Sequence, residues 1–286
     1  MTLTAYLEKH YRPSTVKIYL FEIDHYLSWM GQEQAQRANH KDVLRYVAYL
    51  RERYKSGSVL RIIHAIKNYY YYLQAIAQRT DHPCRLLTIK DISYHQVQTQ
   101  DLLTPEELKQ LLYRAERFPS YALRNRLIMS LLIYQALFTR EICGLKVEDV
   151  NLDKGQIYIR ETIKSNARTL PLQAEQIMLI YRYLSEYRAR FIKQDTDALI
   201  LSGRGCAEGG SGIQYLVSTM RGLLPAKKLT PTTIRQSVIT NKLKAGQDLR
   251  IVQVFAGHRN PSSTEVYRTN NLEELRTAVA KYHPLR

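Results

Sequence analysis

The stretch from Leu229 to Tyr267 constrains the fold more than any other part of the chain, because its helix-start and helix-end signals define two successive helices. Thr232 or Thr233 can cap the first helix, whose apolar residues recur with a helical period. Gly246 ends that helix, and Gly257 fits a left-handed cap at the end of the next one. The pattern therefore predicts two short helices, followed by a turn at residues 261–263 and a third short element that reaches Tyr267.

Three side chains of this stretch could together attack a phosphodiester. Arg235 lies near the start of the first helix, where backbone N–H groups favour an anion, and its guanidinium can bind a phosphate. The cap at Gly257 is expected to leave His258 facing outward, and Tyr267 follows nine residues after this histidine. A phenol with a guanidinium and an imidazole beside it is a suitable nucleophile for phosphorus. The alternative is a basic helical hairpin with an exposed tyrosine.

This joint pattern resembles the second signature box of the tyrosine recombinase, or phage integrase, family. The family pattern is His-x-x-Arg, then Leu-Gly-His, then Tyr nine residues later. Arg235, His258 and Tyr267 match it by type and spacing, while Thr232 stands where the family usually has histidine. The resemblance implies that Tyr267 attacks the scissile phosphate and that Arg235 and His258 hold the oxygens of the phosphorane, with Thr232 at the remaining position of the box.

Residues 136–145 resemble the family's first box, Thr-Gly-Leu-Arg-x-Ser-Glu-Leu, when Glu141 is matched to the box glutamate. The box arginine then falls on Phe138. Arg140 is two residues further on, and two helical positions differ by about 200°, so Arg140 cannot replace the arginine by simple substitution. Either the register slips, or Arg140 reaches the phosphate by another path, contacts the DNA backbone or pairs with an acid. A lost preorganised donor typically costs about 3–4 kcal/mol of transition-state stabilisation.

Residues 155–172 predict a β-hairpin, because two alternating segments flank a turn at 164–166. In the family, a turn lysine followed by an Arg-x-x-Pro strand inserts towards the minor groove. The resemblance implies that Lys164 protonates the leaving 5′-oxygen and that Arg168 contacts DNA. The hairpin is about two residues longer than is usual in the family.

The charge balance indicates a polyanionic partner. The chain carries 42 basic and 26 acidic residues, a net charge of +16, and both residues 1–100 and 101–286 are basic. Three scattered cysteines support neither a disulfide framework nor a metal site. No apolar run approaches the ~20 residues of a membrane span. We expect a cytoplasmic, nucleoid-associated protein with no membrane partner.

The first segment predicts a bundle of helices with one basic face. Arg61, His64 and Lys67 recur every three residues, with tyrosines 69–72 interleaved. A basic face is often only a solvated face. The resemblance to the core-binding domain of tyrosine recombinases implies instead that Lys17, Arg61, His64 and Lys67 contact double-stranded DNA, mainly at phosphates.

We therefore expect a mainly α-helical fold with a small β-sheet (α+β). Residues 1–90 form a helical DNA-binding domain, 91–101 a linker and 102–286 the catalytic domain, whose first helix follows the capping pattern of residues 103–107. The glycine-rich run 203–212 lacks the residues of a phosphate-binding loop and predicts a mobile connection. Residues 271–286 resemble the family tails that dock on a neighbouring protomer.

The resemblance implies a site-specific recombinase that cuts and rejoins DNA through a 3′-phosphotyrosyl intermediate, in integration, excision, inversion or resolution. No cofactor or metal is required, because the covalent link keeps the bond energy. Paired cuts on two duplexes imply a homotetramer on inverted-repeat core sites, held by exchange of C-terminal tails and without an arm-binding domain. Two alternatives stay open: a catalytically degenerate relative that binds DNA architecturally or regulates a recombinase, and a type IB topoisomerase.

Overall fold

The chain divides into two compact units, residues 1–95 and 96–286. The structure, a computed structural model, describes residues 1–89 and 99–268. Helices dominate both described parts, and the strands in them form one small antiparallel sheet. The predicted fold class, mainly α with a small β-sheet, is confirmed. The predicted tail, residues 271–286, and most of the predicted linker lie outside the described residues.

The first unit is a helical bundle. Its helices are α1 (Leu3–His10), α2 (Pro13–Met30), α3 (Gln32–Arg37), α4 (His40–Arg51) and α5 (Ser56–Ala75). Helix α2 begins at Pro13. Proline suits this position because an N–H in the first turn would have no acceptor within the helix, and proline has none. A reciprocal capping box between Asn39 and Asp42 starts α4.

The core of this unit contains more of the tyrosines than the sequence indicated. Tyr69 and Tyr70 are buried, with Tyr70 hydrogen-bonded to Tyr26 and to the carbonyl of Ala35. They pack inside the bundle, so of the tyrosines 69–72 that interleave with the basic residues, only Tyr71 and Tyr72 lie at or near the surface. A burial stripe at every third or fourth position of α5 decides which face each residue occupies.

The second unit contains nine α-helices and three strands within its described residues. The helices are α6 (Pro105–Leu112), α7 (Ala122–Tyr134), α8 (Thr139–Gly144), α9 (Ala174–Arg182), α10 (Ala189–Phe191), α11 (Gly210–Ser218), α12 (Pro231–Lys244), α13 (Leu249–Ala256) and α14 (Ser262–Arg268). The strands are β1 (Val150–Asn151), β2 (Gln156–Ile159) and β3 (Arg168–Pro171). Thr104 and Glu107 form the predicted capping box before α6.

The sheet has the strand order β1-β2-β3, and both pairs are antiparallel. In the register, Ile157 faces Leu170 and Ile159 faces Arg168. The isoleucines and Leu170 are buried, so one side of the sheet packs on the core. The predicted hairpin is confirmed, and its connection places residues 160–167 beside the end of α13.

Helix α12 runs through the centre of the second unit and positions the site. It packs against α7, α13 and α14. Ile234, Val238 and Ile239 are buried, as is almost every residue of α7 from Leu127 to Ile133. A side chain in the middle of α12 therefore projects into protein on most sides, and only residues near the two ends of the helix are exposed.

None of the helices in residues 1–89 and 99–268 combines the length and apolar character needed to cross a lipid bilayer.

Candidate active site

The N-terminus of α12 is capped two or three residues earlier than the sequence suggested. Thr230, and not Thr232 or Thr233, is the capping residue. Its hydroxyl accepts a hydrogen bond from the N–H of Thr233 at 3.0 Å, and the Thr233 hydroxyl accepts one from the N–H of Thr230 at 2.8 Å. Proline at position 231 restricts the backbone at the first helical position, which explains the shift. Thr232 is exposed on the first turn.

Gly257 ends α13 in the left-handed conformation that the sequence predicted, with φ of 68°. The expectation that His258 faces outward is wrong, since only 8% of this residue is exposed. Its Nδ1 lies 2.8 Å from the hydroxyl of Thr264, which is fully buried on α14. The following helix folds back over the imidazole and covers it.

Tyr267 lies on α14 beside this histidine. The two rings are nearly parallel, at 12°, with centroids 6.1 Å apart. The phenol is half-buried against the core and hydrogen-bonded to Gln236 of α12. The structure thus brings together Arg235, His258 and Tyr267, which lie on three different elements.

Arg235 is buried, with only 2% of the residue exposed. Its Nη2 donates to the carbonyl of Ala256 at 2.6 Å, and its Nη1 donates to the carbonyl of Ala136. It does not lie at the open N-terminus of α12 as expected, because it is the fifth residue of the helix and points towards the ends of α7 and α13.

Phe138 occupies the position expected for the first-box arginine, and its ring packs under Arg235. The guanidinium carbon lies 3.7 Å from the ring centroid, a cation–π contact. Ala136, two residues earlier, has φ of 49°, a left-handed conformation that turns its carbonyl towards Arg235. At the position where the family has a second arginine, this chain therefore has an aromatic ring that packs against Arg235.

Glu141 connects the elements around the site. Its carboxylate accepts a bidentate pair from Arg168, at 2.8 and 3.2 Å, and the Ser165 hydroxyl at 2.6 Å. It also accepts the N–H of Phe138 at 2.8 Å and lies 3.9 Å from Nη1 of Arg235. One buried carboxylate thereby links α8, the hairpin and the arginine of α12.

This arrangement corrects the expectation that Arg168 contacts DNA. Arg168 is 7% exposed, and its guanidinium donates to Glu141 and to the carbonyls of Phe255 and Asn166. A bidentate partner and two carbonyls use the planar donors of this group inside the protein. Arg168 holds β3 against the end of α13.

Lys164 and Arg140, the two other predicted catalytic cations, are both exposed. Lys164 lies in a turn in which Thr162 N–H donates to the carbonyl of Ser165 at 2.9 Å. Arg140 is in the first turn of α8, two residues after the platform formed by Phe138. Neither side chain forms an ion pair within the described residues.

Burial dominates the titration of the site. It lowers the pKa of Arg235 to about 10 and of His258 to about 4, with the nearby Arg235 and Arg168 charges also acting on His258. Burial raises the pKa of Tyr267, although Arg235 and the Gln236 hydrogen bond act in the opposite direction. For Glu141, burial alone would raise the pKa, but Arg168 outweighs it and holds the pKa low. At neutral pH, His258 is therefore uncharged and Tyr267 protonated.

The predicted DNA-binding residues of the first unit are at or near the surface, and two of them have partners. Lys17 and His64 are exposed, with the pKa of His64 lowered by partial burial and by Lys67. Arg61 pairs with the buried Glu22 at 2.7 Å, and the Lys67 ammonium donates to the carbonyl of Arg85 at 2.9 Å. The basic face of α5 is thus partly neutralised within the unit.

The glycine-rich run is a folded connection. A bridge between Leu201 and Ala207 closes its first part, and α11 begins at Gly210. The run lines a cavity of about 1130 Å³ with Phe118 and Tyr215, away from the residues of the candidate active site. Within the described residues, no cluster of three or more histidine, cysteine, aspartate or glutamate side chains could hold a metal.

Several residues of the site carried little sequence signal. Nothing in the sequence distinguishes Ser165, Thr264 and Gln236 from other polar residues. In the structure they are the hydrogen-bond partners of Glu141, His258 and Tyr267, respectively. The match of Glu141 to the first box indicated that this residue belongs to the site. The sequence did not indicate that its carboxylate binds both Arg168 and Ser165.

Comparison with known proteins covers both units. The model of the phage integrase family matches residues 101–274, and the model of the N-terminal SAM-like domain of phage integrases matches residues 3–76. Tyrosine recombinase XerA of Thermococcus kodakarensis is 28% identical, with 94% of this chain and 89% of the relative covered. Tyrosine recombinase XerC of Halalkalibacterium halodurans is 26% identical, with 97% and 94% covered.

Solved structures show the same fold. The crystal structure of XerA recombinase covers 99% of this chain and 98% of its own, with 25% identity and a TM-score of 0.52. A post-cleavage complex of XerH site-specific recombinase with a palindromic difH substrate has a TM-score of 0.72, at 19% identity, covering 93% of this chain and 78% of its own.

Proposed function

The chain belongs to the phage integrase family and is a site-specific tyrosine recombinase, and we propose that Tyr267 is its nucleophile. The observation that carries this proposal is the convergence of Tyr267, His258 and Arg235, from three elements, at one half-buried phenol. Tyr267 lies beside the buried His258, and the charge of the buried Arg235 acts on its phenol.

In the proposed reaction, the Tyr267 phenol loses its proton to solvent, its oxygen attacks the scissile phosphorus, and the bond to the 5′-oxygen breaks. Arg235 and His258 stabilise the charge that develops on the phosphorane oxygens, and Lys164 gives a proton to the leaving 5′-oxygen. The products are a 3′-phosphotyrosyl link and a free 5′-hydroxyl. Attack by the 5′-hydroxyl of a partner strand reverses the step and releases Tyr267.

The surroundings of the three side chains support these roles. A guanidinium has five N–H donors, and the carbonyls of Ala136 and Ala256 each take one from Arg235, so donors remain for a phosphate. The neutral His258 can accept the Thr264 hydroxyl at Nδ1 and donate from Nε2 to a phosphorane oxygen. The charge of Arg235 favours the Tyr267 phenolate.

We propose that this site works without the usual first-box arginine. Phe138 fixes Arg235 from below, and Arg140 on the same turn of α8 is an exposed cation available to the bound DNA. Its contact is either the scissile phosphate or the neighbouring backbone. Thr232 at the start of α12 is the exposed residue in place of the box histidine.

For the whole chain, we propose that residues 1–90 bind double-stranded DNA, with 91–101 as a linker and 102–286 as the catalytic domain. Lys17, Arg61, His64 and Lys67 then act on phosphates, and the net charge of +16 favours this partner. Arg61 would exchange Glu22 for a phosphate on binding. We further propose a homotetramer on inverted-repeat sites, held by exchange of residues 271–286, in a nucleoid-associated protein.

One observation favours a second candidate function. Phe138 and Thr232 replace two polar groups of the family's site. A relative that binds DNA architecturally or regulates an active recombinase would tolerate both replacements. Formation of a covalent protein–DNA adduct distinguishes the two candidates.

The test is covalent trapping on a nicked duplex that carries the native site and releases a short fragment after cleavage. The parent is expected to give a denaturant-resistant adduct, and Tyr267→Phe none, with both proteins binding the duplex equally at a fixed salt concentration. Tight binding by the parent without an adduct would favour the DNA-binding relative. Equal loss of binding and cleavage in Tyr267→Phe would remove Tyr267 as the nucleophile.

A further inference from the structure

The loop between β2 and β3 is attached to the segment after α13 by a set of contacts that the family pattern did not lead us to expect. The N–H of Asn166 donates to the carbonyl of Gly257 at 2.9 Å, and Ser165 forms an isolated β-bridge with His258. The side chain of Ser165 reaches Glu141 at 2.6 Å. The C-terminal end of the loop is therefore fixed to the histidine segment.

Arg259 fixes the other end of the same loop. Its Nη2 donates to the carbonyl of Thr162 at 2.8 Å and also to the carboxylate of Glu161. A single guanidinium nitrogen with two hydrogens can make both contacts at once. Arg259 follows His258 directly in the sequence, so its side chain ties the loop to the residue beside the candidate nucleophile.

Lys164 lies between these two attachments. The turn is closed by the Thr162 N–H to the Ser165 carbonyl at 2.9 Å and by the two hydroxyls of these residues at 2.8 Å. The N–H of Lys164 faces the Thr162 hydroxyl at 3.3 Å. The ammonium itself is exposed, on a flexible four-carbon stem, so only the backbone determines where it can reach.

We propose that Arg259 is a positioning residue that holds Lys164 where it can protonate the leaving 5′-oxygen. This proposal rests on the role of Lys164 in the proposed function. Without Arg259, Thr162 loses its attachment, and the turn keeps only its Ser165 and Asn166 end. The loop then moves relative to His258, and the ammonium is misplaced while Arg235, His258 and Tyr267 keep their own contacts.

The reaction offers a readout that separates positioning of the acid from other damage. A duplex with sulfur in place of the bridging 5′-oxygen has a thiolate leaving group, and thiols have a pKa near 8.5. Such a leaving group departs without a proton. A variant that has lost only the placement of its general acid therefore recovers on the sulfur duplex, while a variant with a damaged phosphate site does not.

The experiment compares adduct formation on the oxygen and sulfur duplexes for the parent, Arg259→Ala, Arg259→Lys and Lys164→Ala, at saturating protein. On the oxygen duplex, Arg259→Ala is expected to react about 10- to 100-fold more slowly, as for a catalytic group displaced by about 1 Å. Lys164→Ala loses about 10²- to 10⁴-fold. Both are expected to return close to the parent's rate on the sulfur duplex, and Arg259→Lys to fall between Arg259→Ala and the parent on oxygen.

Arg182→Ala is the matched control, because Arg182 forms an exposed ion pair with Glu186 at 2.8 Å and is not part of the site. It removes one positive charge and one surface pair, as Arg259→Ala does, and is expected to behave as the parent on both duplexes. DNA affinity measured at the same salt concentration shows that saturation is reached.

Each of the other outcomes contradicts a specific part of the proposal. If Lys164→Ala recovers on sulfur and Arg259→Ala stays slow, Arg259 acts on something other than the acid. If Arg259→Ala matches the parent on oxygen, the attachment does not position Lys164. If Lys164→Ala fails to recover, Lys164 is not the general acid and the positioning role falls with it. A parent protein that reacts on neither duplex contradicts the proposed function itself.

Discussion

The contact between Phe138 and Arg235 defines the site at the scale of single residues. Arg235 is buried and retains its charge, because Glu141 lies 3.9 Å away and an aromatic face covers one side of its guanidinium. A buried cation without such partners would be strongly destabilising. The Phe138 ring thus stabilises Arg235, the arginine of the second box. It does so from the position at which the family has the arginine of the first box.

Replacing Phe138 by leucine tests this contact. Phe138→Leu keeps an apolar side chain but removes the π face, and we expect the free energy of unfolding to fall by about 1–2 kcal/mol. Adduct formation should slow as well, since Arg235 loses its platform. Thermal or denaturant unfolding measures the first effect, and the trapping reaction the second.

Phe118→Leu is the control for this substitution. Phe118 is 57% exposed, and the guanidinium of Arg117 lies further from its ring, at 5.3 Å. A change of less than about 0.5 kcal/mol is expected there. Equal effects at the two positions would show that the contact with Arg235 contributes nothing specific.

His258 gives the site a dependence on acid. Its pKa is about 4 in the folded protein and 6.5 ordinarily, so protonation favours the unfolded chain. The stabilising contribution of neutral His258 is complete above pH 6.5 and is lost as the pH falls from there through about 4. Denaturant unfolding at a series of pH values should show this decline.

His258→Gln separates this histidine from the other acid-sensitive group nearby. Glu141 also loses its ion pair with Arg168 on protonation. Because its folded pKa is lowered, its stabilising contribution is complete above the ordinary carboxylate pKa of 4.5 and is lost only as the pH falls below that value. The variant should therefore have a flatter stability profile between pH 6.5 and 4. An unchanged slope in that interval would assign the decline to carboxylates.

At the scale of elements, the site depends on how α13 ends. Gly257 permits a left-handed turn and also leaves room for Arg168, whose guanidinium would collide with an added Cβ. The sequence predicted the turn from the Ala-Gly-His pattern. It could not predict the close approach of Arg168, since this arginine is almost ninety residues away in the chain and is brought there by the sheet.

Two glycine substitutions separate these effects. Gly246→Ala, at φ of 81° with open space around it, should cost about 1–2 kcal/mol for the left-handed backbone alone. Gly257→Ala adds displacement of Arg168 from Glu141, and breaking a buried pair costs about 3–5 kcal/mol. Unfolding measurements on both variants give the comparison, and similar losses would contradict the crowding at Gly257.

The same scale shows what local patterns determine. Helix starts were predictable where a cap and proline stand together, as at Thr104, and the hairpin followed from alternation. The cap of α12 was misplaced among three threonines, although Thr230 precedes Pro231 as Thr104 precedes Pro105, and this pattern was the signal that identified the cap. Burial of His258 depends on α14 folding back, which no local pattern encodes.

At the scale of the whole molecule, the fold class and the proximity of Tyr267, His258 and Arg235 were predictable, because the spacing of the second box is a joint pattern. The contacts that hold the group were not. Arg235 to Ala136 and Glu141 to Arg168 join distant segments, and each partner is an ordinary residue in the sequence. Tertiary packing alone pairs them.

The central claim is that Tyr267 forms the covalent bond to DNA in a site with Phe138 at the arginine position. The most direct measurement is to trap the adduct, digest its protein and DNA, and locate the attached nucleotide by mass spectrometry. Tyr267 is expected to carry a nucleotide through its 3′-phosphate. A nucleotide on any other of the 22 tyrosines, or one attached through a 5′-phosphate, would contradict the account.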